Sequence, residues 1–350
     1  MTRPAPFPRV VAEAGQCMEG DVDLACQMAV DAANAGAWAF KVQLLKPETI
    51  AAPEAPKYWD DEYATPTQRD AFRLAGCIPY DGWGPVVDTC RENNIEFMAT
   101  PFDLDAVDAL EDYGCTKFKI ASGDITYYPL LRRVGATGGT VLLSTGASTL
   151  IETRDALACL INAGASEVVL LACTLTYPCP LPDAALGRIA TLRLFVAEAL
   201  NYFGNRLPPL SVGYSDHTTE IGLTAAVAVG AGATLLEKHY TWSKSGANVP
   251  DHAMAVTKEG LRSYVAASRV AASMVGNGML DVLPSEVAAH RNARRSAWLV
   301  RDVEPGQLIT SGDIEYLRPG TGTPAEHAEL YIGMIATQRA KAGDALSEAF

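Results

Sequence analysis

Short apolar runs that end in polar residues alternate along this chain with longer stretches of helical spacing rich in alanine and leucine. The runs predict strands over 9–14 ("RVVAEA"), 38–44 ("WAFKVQL"), 96–102 ("EFMATPF"), 117–122 ("KFKIAS"), 140–145 ("TVLLST"), 167–174 ("EVVLLACT"), 210–215 ("LSVGYS") and 234–240 ("TLLEKHY"). Helical periodicity fills 23–36, 153–164, 190–201 and 222–232, several of these closing on a glycine as helices often do, and a last helix is predicted over 258–276. Eight strands alternating with helices over roughly 275 residues predict an α/β fold, a (β/α)8 TIM barrel, whose usual length is about 250 residues. A doubly wound open sheet is the runner-up. The "GAGA" at 230–233 ends a helix instead of opening one, so it is no dinucleotide fingerprint.

Beyond "GNGMLDVLPSEVAAHRNARRS" the pattern changes to short alternating runs with proline-glycine turns and no long helix. The expected organisation is a barrel over 1–285, a linker over 286–295 and a small second domain over 296–350.

Composition narrows the field. With 350 residues, 49% of them hydrophobic, the chain can bury a sizeable core. A formal net charge of -13 disfavours nucleic acid and anionic membrane surfaces, since both are polyanions that select basic patches. No apolar run approaches the roughly 20 residues of a membrane span, and "MTRPAPFPRV" lacks a signal peptide's apolar core, so a cytoplasmic protein is expected. The 8 cysteines include no C-x-x-C pair and are expected mostly as small buried hydrophobes.

In a barrel the chemistry collects where the strands end at their C-terminal side. The residues there are Glu13, Lys41 with Gln43, Thr100, Lys119 with Ser122, Ser144 with Thr145, Thr174 with Tyr177, Ser215 with His217, and Glu237 with His239. Two lysines and several small hydroxyls around one mouth suit a compact, multiply charged anion such as a phosphate or carboxylate. The competing assignment has the lysines snorkelling outward or pairing with nearby acids. His217 and His239 end consecutive strands, where two imidazoles can share a divalent metal completed by water or substrate, or can serve as structural hydrogen-bonding groups.

The segments "AEAGQ" (12–16), "NAGAWAFKVQ" (34–43), "ATPFD" (99–103), "FKIASGD" (118–124), "LLSTGAS" (142–148), "CTLTYP" (173–178), "GYSDHT" (213–218) and "LEKHYT" (236–241) stand in the order found in the sialic acid synthase family, which this chain resembles. That family condenses phosphoenolpyruvate with an aldehyde sugar to give a 3-deoxy-2-ulosonic acid and phosphate. The resemblance implies that Lys41, Thr100, Lys119, Ser122, Ser144 and Ser215 hold phosphoenolpyruvate. It implies that His217 and His239 bind a divalent metal, manganese in first place with magnesium or cobalt as alternatives, acting on the aldehyde oxygen. Glu13 falls on the family's acid for proton or water transfer at the enolpyruvyl C2. Gln43, Asp124, Leu175, Tyr177 and Asp251 match positions facing the acceptor, while His252 is equally a loop hydrogen-bonding group. Residues 296–350 resemble the family's antifreeze-like (SAF) domain, a small compact unit with little regular sheet. In the family this domain caps the barrel of a partner subunit in a domain-swapped homodimer, and Arg318 in "LRPG" matches the arginine that reaches the acceptor.

The chain departs from the family where an Asn-His pair is usual and Cys17 and Met18 stand, where Leu175 replaces an asparagine or serine, and where Thr126 and Tyr127 replace two asparagines. Each change removes hydrogen-bonding capacity or adds bulk, so an acceptor other than N-acetylmannosamine is expected, with Cys17 and Met18 beside it. The alternatives are a genuine N-acetylneuraminate synthase, a non-catalytic barrel used as a binding module, and a lyase that holds pyruvate on a lysine as a Schiff base.

Overall fold

The computed structural model describes residues 7–59, 65–204, 207–244 and 249–350. The first six residues of the stretch tested above for a leader lie outside the described residues. The eight strands are β1 (Arg9–Gly15), β2 (Ala39–Leu44), β3 (Glu96–Pro101), β4 (Lys117–Ile120), β5 (Thr140–Ser144), β6 (Glu167–Cys173), β7 (Leu210–Asp216) and β8 (Leu235–His239). They pair in parallel in sequence order and β1 closes on β8, giving a TIM barrel. The open-sheet alternative is excluded by that closure.

Successive side chains of a strand point to opposite faces, so each strand sends every second residue into the barrel. One interior layer is apolar and fully buried: Val11, Ala39, Met98, Leu142, Leu171 and Leu235, with Val169. Two residues further along the same strands stand Glu13, Lys41, Thr100, Ser144, Cys173 and Glu237, all buried. The site is therefore the next storey of the barrel interior, and the apolar layer is its floor. Outward residues such as Val10, Phe40, Val42, Phe118 and Leu170 join the core shared with the helices.

The helices are α1 (Val22–Ala35), α2 (Pro47–Ile50), α3 (Gln68–Ala75), α4 (Gly84–Glu92), α5 (Leu104–Asp112), α6 (Tyr128–Ala136), α7 (Leu150–Ala163), α8 (Arg188–Phe203), α9 (Leu223–Gly230) and α10 (Lys258–Val275). Helix α1 starts where Asp21 accepts from the Leu24 amide and stops where Gly36 takes φ +83, a backbone state that costs an L-residue more. A Thr149–Glu152 capping box opens α7. Helices α2 to α6 lie outside the helical segments predicted above; each has nine residues or fewer, which leaves periodicity little room to stand out.

The chain divides into two compact units, Met1–Asn277 and Gly278–Phe350. The division precedes the expected 286–295 linker: that stretch holds a short helix, α11 (Val287–Asn292), which belongs to the smaller unit. The smaller unit carries a three-stranded antiparallel sheet in which β9 (Ser296–Leu299) lies between β10 (Ile314–Leu317) and β11 (Thr323–Pro324). Its core is built from Ala297, Leu299, Val303, Ile309, Ala328 and Leu346 among others. Among the described residues no helix is long and apolar enough to cross a membrane.

Candidate active site

Strand register decides which side chains meet. Glu13 is level with Lys41 on one side and His239 on the other, Gln43 with Thr100, and Ser215 with Glu237. The consequence is a buried network of four charges. Lys41 Nζ lies 2.6 Å from Glu13 Oε2 and 3.7 Å from Glu237 Oε2, and it donates to Thr100 Oγ1 at 3.0 Å. Lys119 Nζ lies 3.7 Å from Glu237 Oε1 and donates to the Ile120 carbonyl at 3.2 Å. Ser215 donates to Glu237 at 2.9 Å and Gln43 donates to Glu13 at 3.1 Å. Two cations and two anions balance, which is how charge becomes tolerable in an interior.

The environment shifts these groups apart. Burial pushes the Glu13 carboxyl up, and Lys41 only partly offsets it. For Glu237 burial also works upward, but Lys119 and Lys41 together hold it below the ordinary value. Burial lowers Lys119, whereas Lys41 ends up raised because Glu13 and Glu237 outweigh its desolvation.

Glu13, Lys41, Gln43, Thr100, Lys119, Ser122, Asp124, Ser144, Leu175, Tyr177, Ser215, His217, His239 and Asp251 all line one cavity of about 300 Å³. Ser122 Oγ accepts from the Gly146 amide at 3.0 Å, and Ser144 Oγ is buried without a hydrogen-bond partner. A hydroxyl so placed on the cavity wall can donate to an acceptor oxygen of a ligand. Asp124 is raised to about 6 by burial, with Lys119 opposing, and Asp251 to about 7 by burial and then Glu13. Gly15 explains part of "EAGQ": its φ is +55, and a Cβ there would collide with the Asp251 carboxylate.

Tyr177 stacks on His217 at 4.4 Å between ring centroids, and the His217 and His239 rings are 5.3 Å apart. His217 Nδ1 is 2.8 Å from the Thr174 carbonyl, which fixes that ring and leaves Nε2 toward the site. His239 Nδ1 is buried without a hydrogen-bond partner, 3.6 Å from Asp251 Oδ2, and burial and then His217 hold its pKa well below the usual value. Two imidazoles, one of them neutral and unsatisfied, fit a divalent ion whose shell substrate or water completes. Among the described residues no three His, Cys, Asp or Glu side chains gather into a self-sufficient metal site.

Several expectations need correcting. Cys17 and Met18 are not on the cavity wall: they are 0% and 2% exposed and belong to the hydrophobic core, with Cys17 close to Asp251 and Thr241. Thr126 and Tyr127 are exposed and also off the cavity wall, so of the five departures only Leu175 lines it. Thr145 and Thr174 spend their hydroxyls on the carbonyls of Leu171 and Asp183. His252 is a loop group, bonded through Nδ1 to Thr241 Oγ1 at 2.7 Å and lying 3.5 Å from Glu19. Arg318 is exposed in the smaller unit, next to the cis bond to Pro319.

Three features escaped sequence reasoning. Glu237 stands in the ring without a role in the sequence reading; an acid directly after the apolar pair Leu235 and Leu236 is the only local sign of it, and that sign does not name its partners. Cys173, two residues beyond Leu171 on the inward face of β6, lies 3.8 Å from His217 Nδ1. The third is α3, whose Gln68, Ala71, Phe72 and Ala75 line the cavity at helical spacing.

Fold and site together define a TIM-barrel protein with a charge-lined cavity at the C-terminal mouth of its strands. The chain belongs to the NeuB family, whose pattern matches residues 28–279, and residues 294–350 match the SAF domain. It is 31% identical over 343 residues to an N,N'-diacetyllegionaminic acid synthase of Campylobacter jejuni, covering 97% of this chain and 98% of that protein. It is 27% identical over 348 residues to a pseudaminic acid synthase of Helicobacter pylori, covering 97% and 96% of the two chains. The structure of an N-acetylneuraminic acid synthetase from Leptospira borgpetersenii, solved in complex with citrate, superimposes with a TM-score of 0.70 at 27% identity over 81% of this chain and 90% of that one.

Proposed function

We propose that this protein condenses phosphoenolpyruvate with an aldehyde sugar to form a 3-deoxy-2-ulosonic acid and phosphate. The observation that carries this is the neutral quartet Glu13, Lys41, Lys119 and Glu237, set among hydroxyls of which Ser144 is unsatisfied, beside two imidazoles. The relatives named as synthases of legionaminic, pseudaminic and N-acetylneuraminic acids support it, as does the citrate in one of them.

In this reading Lys41 and Lys119 receive the phosphate and carboxylate, Thr100, Ser122 and Ser144 donate to their oxygens, and Ser215 joins them by turning its hydroxyl from Glu237 to the ligand. Glu13, raised by burial, takes or gives the proton of the water that adds at the enolpyruvyl C2. Tyr177, Gln43, Asp124, Asp251 and Leu175 hold the acceptor with its carbonyl toward His217 and His239. A divalent ion there, manganese in first place, would polarise that carbonyl for attack by C3 of phosphoenolpyruvate. Because the quartet is already neutral, an incoming polyanion adds uncompensated negative charge, which a divalent cation would relieve. Arg318 would reach the acceptor from a partner subunit of a homodimer. With Leu175 on the cavity wall, the acceptor is expected to differ from N-acetylmannosamine.

The test is phosphate release from phosphoenolpyruvate with manganese and a panel of aldehyde sugars. Phosphate carrying the bridging oxygen is expected, since the C–O bond breaks; no release with any aldehyde would overturn the proposal, and best turnover with N-acetylmannosamine would overturn its acceptor clause. One observation favours a second reading. Lys119 is buried with its pKa lowered, the state in which a lysine forms a Schiff base. Borohydride inactivation in the presence of pyruvate, with the label on Lys119, would establish that lyase chemistry instead.

A further inference from the structure

The outward positions of the barrel strands meet the helices, and on β1 to β6 they are apolar, as at Ala12, Phe40, Ala99, Phe118, Leu143 and Ala172. The exceptions stand side by side on β7 and β8. Asp216 is level with Lys238, both are buried, and Lys238 Nζ lies 3.2 Å from Asp216 Oδ2. Neither side chain lines the cavity, so this pair is separate from the charged ring.

A buried ion pair is a poor device for stability alone, because its desolvation offsets its attraction and apolar residues of like volume often serve as well. Its place in the chain points to another use. Asp216 sits between Ser215 and His217, and Lys238 between Glu237 and His239, so each charge shares its strand with two site residues that point the other way. The bonds of the pair fall on the immediate neighbours of the histidines. Asp216 Oδ1 accepts from the Thr218 amide at 2.9 Å and from the Thr218 hydroxyl at 2.8 Å, which folds the chain around His217. Lys238 Nζ donates to the Thr218 carbonyl at 2.5 Å, tying the residue before His239 to the residue after His217. From the helix layer, Thr224 on α9 donates to Asp216 Oδ2 at 2.7 Å, and the Tyr264 ring of α10 lies 5.6 Å from Lys238 Nζ.

Resting on His217 and His239 as the metal ligands of the proposed function, we infer that Asp216 and Lys238 are positioning residues, a clamp on the outer face of β7 and β8 that fixes the separation of the two imidazoles. The register between these strands ends at Asp216 and Lys238, so both histidines lie one residue beyond it. The clamp takes over where that pairing stops. The Thr174 carbonyl orients the His217 ring but does not connect it to β8, whereas the bonds through Thr218 and Lys238 do. Groups that orient metal ligands from outside typically weaken metal binding by about 10- to 100-fold when removed.

Manganese binding to the metal-free protein, read from the free-ion signal in electron paramagnetic resonance, tests this without turnover. Asp216→Asn combined with Lys238→Met removes both charges together, so no buried ion is left unpaired; asparagine keeps an acceptor for Thr218 and methionine the length of lysine. The double variant should bind manganese about 10- to 100-fold more weakly, with its urea midpoint near that of the wild type. A merely structural pair would move the midpoint and leave the affinity of the folded protein where it was. Thr224→Val, which removes only the bond from α9, should weaken manganese binding by a smaller factor in the same direction. Unchanged affinity in the folded double variant overturns the inference; should that variant not fold, unchanged affinity in Thr224→Val does so. No manganese binding by the wild type overturns metal ligation by His217 and His239 and this inference with it. Absence of phosphate release with every aldehyde, beside intact manganese binding, overturns the synthase reading alone.

Discussion

Replacing Lys41 with methionine keeps the length of the side chain and removes its charge from the barrel. At an effective dielectric of about 20, the 2.6 Å contact with Glu13 carries about 6 kcal/mol of attraction and the 3.7 Å contact with Glu237 about 4 kcal/mol. Those attractions offset the desolvation of the ions, so removing the cation leaves two buried carboxylates facing Lys119 alone. The variant has one escape, which is to protonate Glu13. Holding a carboxyl of ordinary pKa neutral at pH 7 costs about 4 kcal/mol, and this caps the loss. The sign follows from the direction: a carboxyl raised in the folded state binds a proton that the unfolded chain has released. Stability therefore falls as pH rises above about 4.3, by about 1.4 kcal/mol per pH unit, until the folded-state pKa is passed. Lys41→Met should lose about 3–4 kcal/mol at pH 7 and only about 1 kcal/mol at pH 5, read from the barrel's urea transition by circular dichroism. Adding Glu13→Gln should recover most of the loss at pH 7. A loss that is the same at both pH values, or below about 1 kcal/mol at pH 7, would refute the account of Lys41 as the balancing charge.

Asp313 offers a second pH test in the smaller unit. Its carboxylate is held at about 2, first by Arg301 and then by the Thr310 amide and hydroxyl, and its side chain is nearly buried. A depressed carboxylate contributes above its unfolded pKa and loses that contribution as pH falls through about 2; Asp313→Asn should cost about 2 kcal/mol at pH 7 and little at pH 2, seen in the unit's thermal transition. Chelation should abolish phosphate release and weaken phosphoenolpyruvate binding by about tenfold in calorimetry, both restored by manganese, because cation and anion share one charge balance; unchanged affinity would count against that balance. Mixing Arg318→Ala with His217→Ala subunits under exchange should return about a quarter of wild-type activity, since half the dimers would then carry one intact composite site. No recovery would place Arg318 outside the acceptor site of a partner.

The barrel was legible because its strands alternate apolar runs with polar ends, and because the interior has a period of two. Val11 and Glu13, Ala39 and Lys41, Leu142 and Ser144 each carry both storeys in three residues. Register supplied what the sequence lacked. Nothing local in "LEKHYT" marks Glu237 as the acid between two lysines, since Lys41 and Lys119 come from strands 196 and 118 residues away, by subtraction of the positions. Cys17 and Met18 misled for the opposite reason. They adjoin the site in sequence, and Gln16 still lines the cavity, but the next two side chains turn into the core, Cys17 close to Asp251 and Thr241 without reaching the cavity wall. A place next to the site is not yet a place on its wall.

That correction changes where substrate choice is written. With Cys17, Met18, Thr126 and Tyr127 off the cavity, Leu175 is the one of the five departures on its wall, which it shares with Gln43, Asp124, Tyr177, Asp251 and one face of α3. The two halves of the cavity then answer to different demands. The ring residues come from eight strands locked by one register, so shifting any of them disturbs its neighbours' hydrogen bonds and charge balance. Helix α3 is tied by Arg69 and Arg73 to Ala51 and Glu48 of the α2 segment, contacts that lie outside that register. A wall attached in this way can change its lining without unsettling the buried charges, so Phe72→Gln should alter acceptor preference while the urea transition at pH 7 moves far less than it does for Lys41→Met. If the two variants destabilised the barrel equally, wall and ring would be one cooperative unit and the separation argued here would fail.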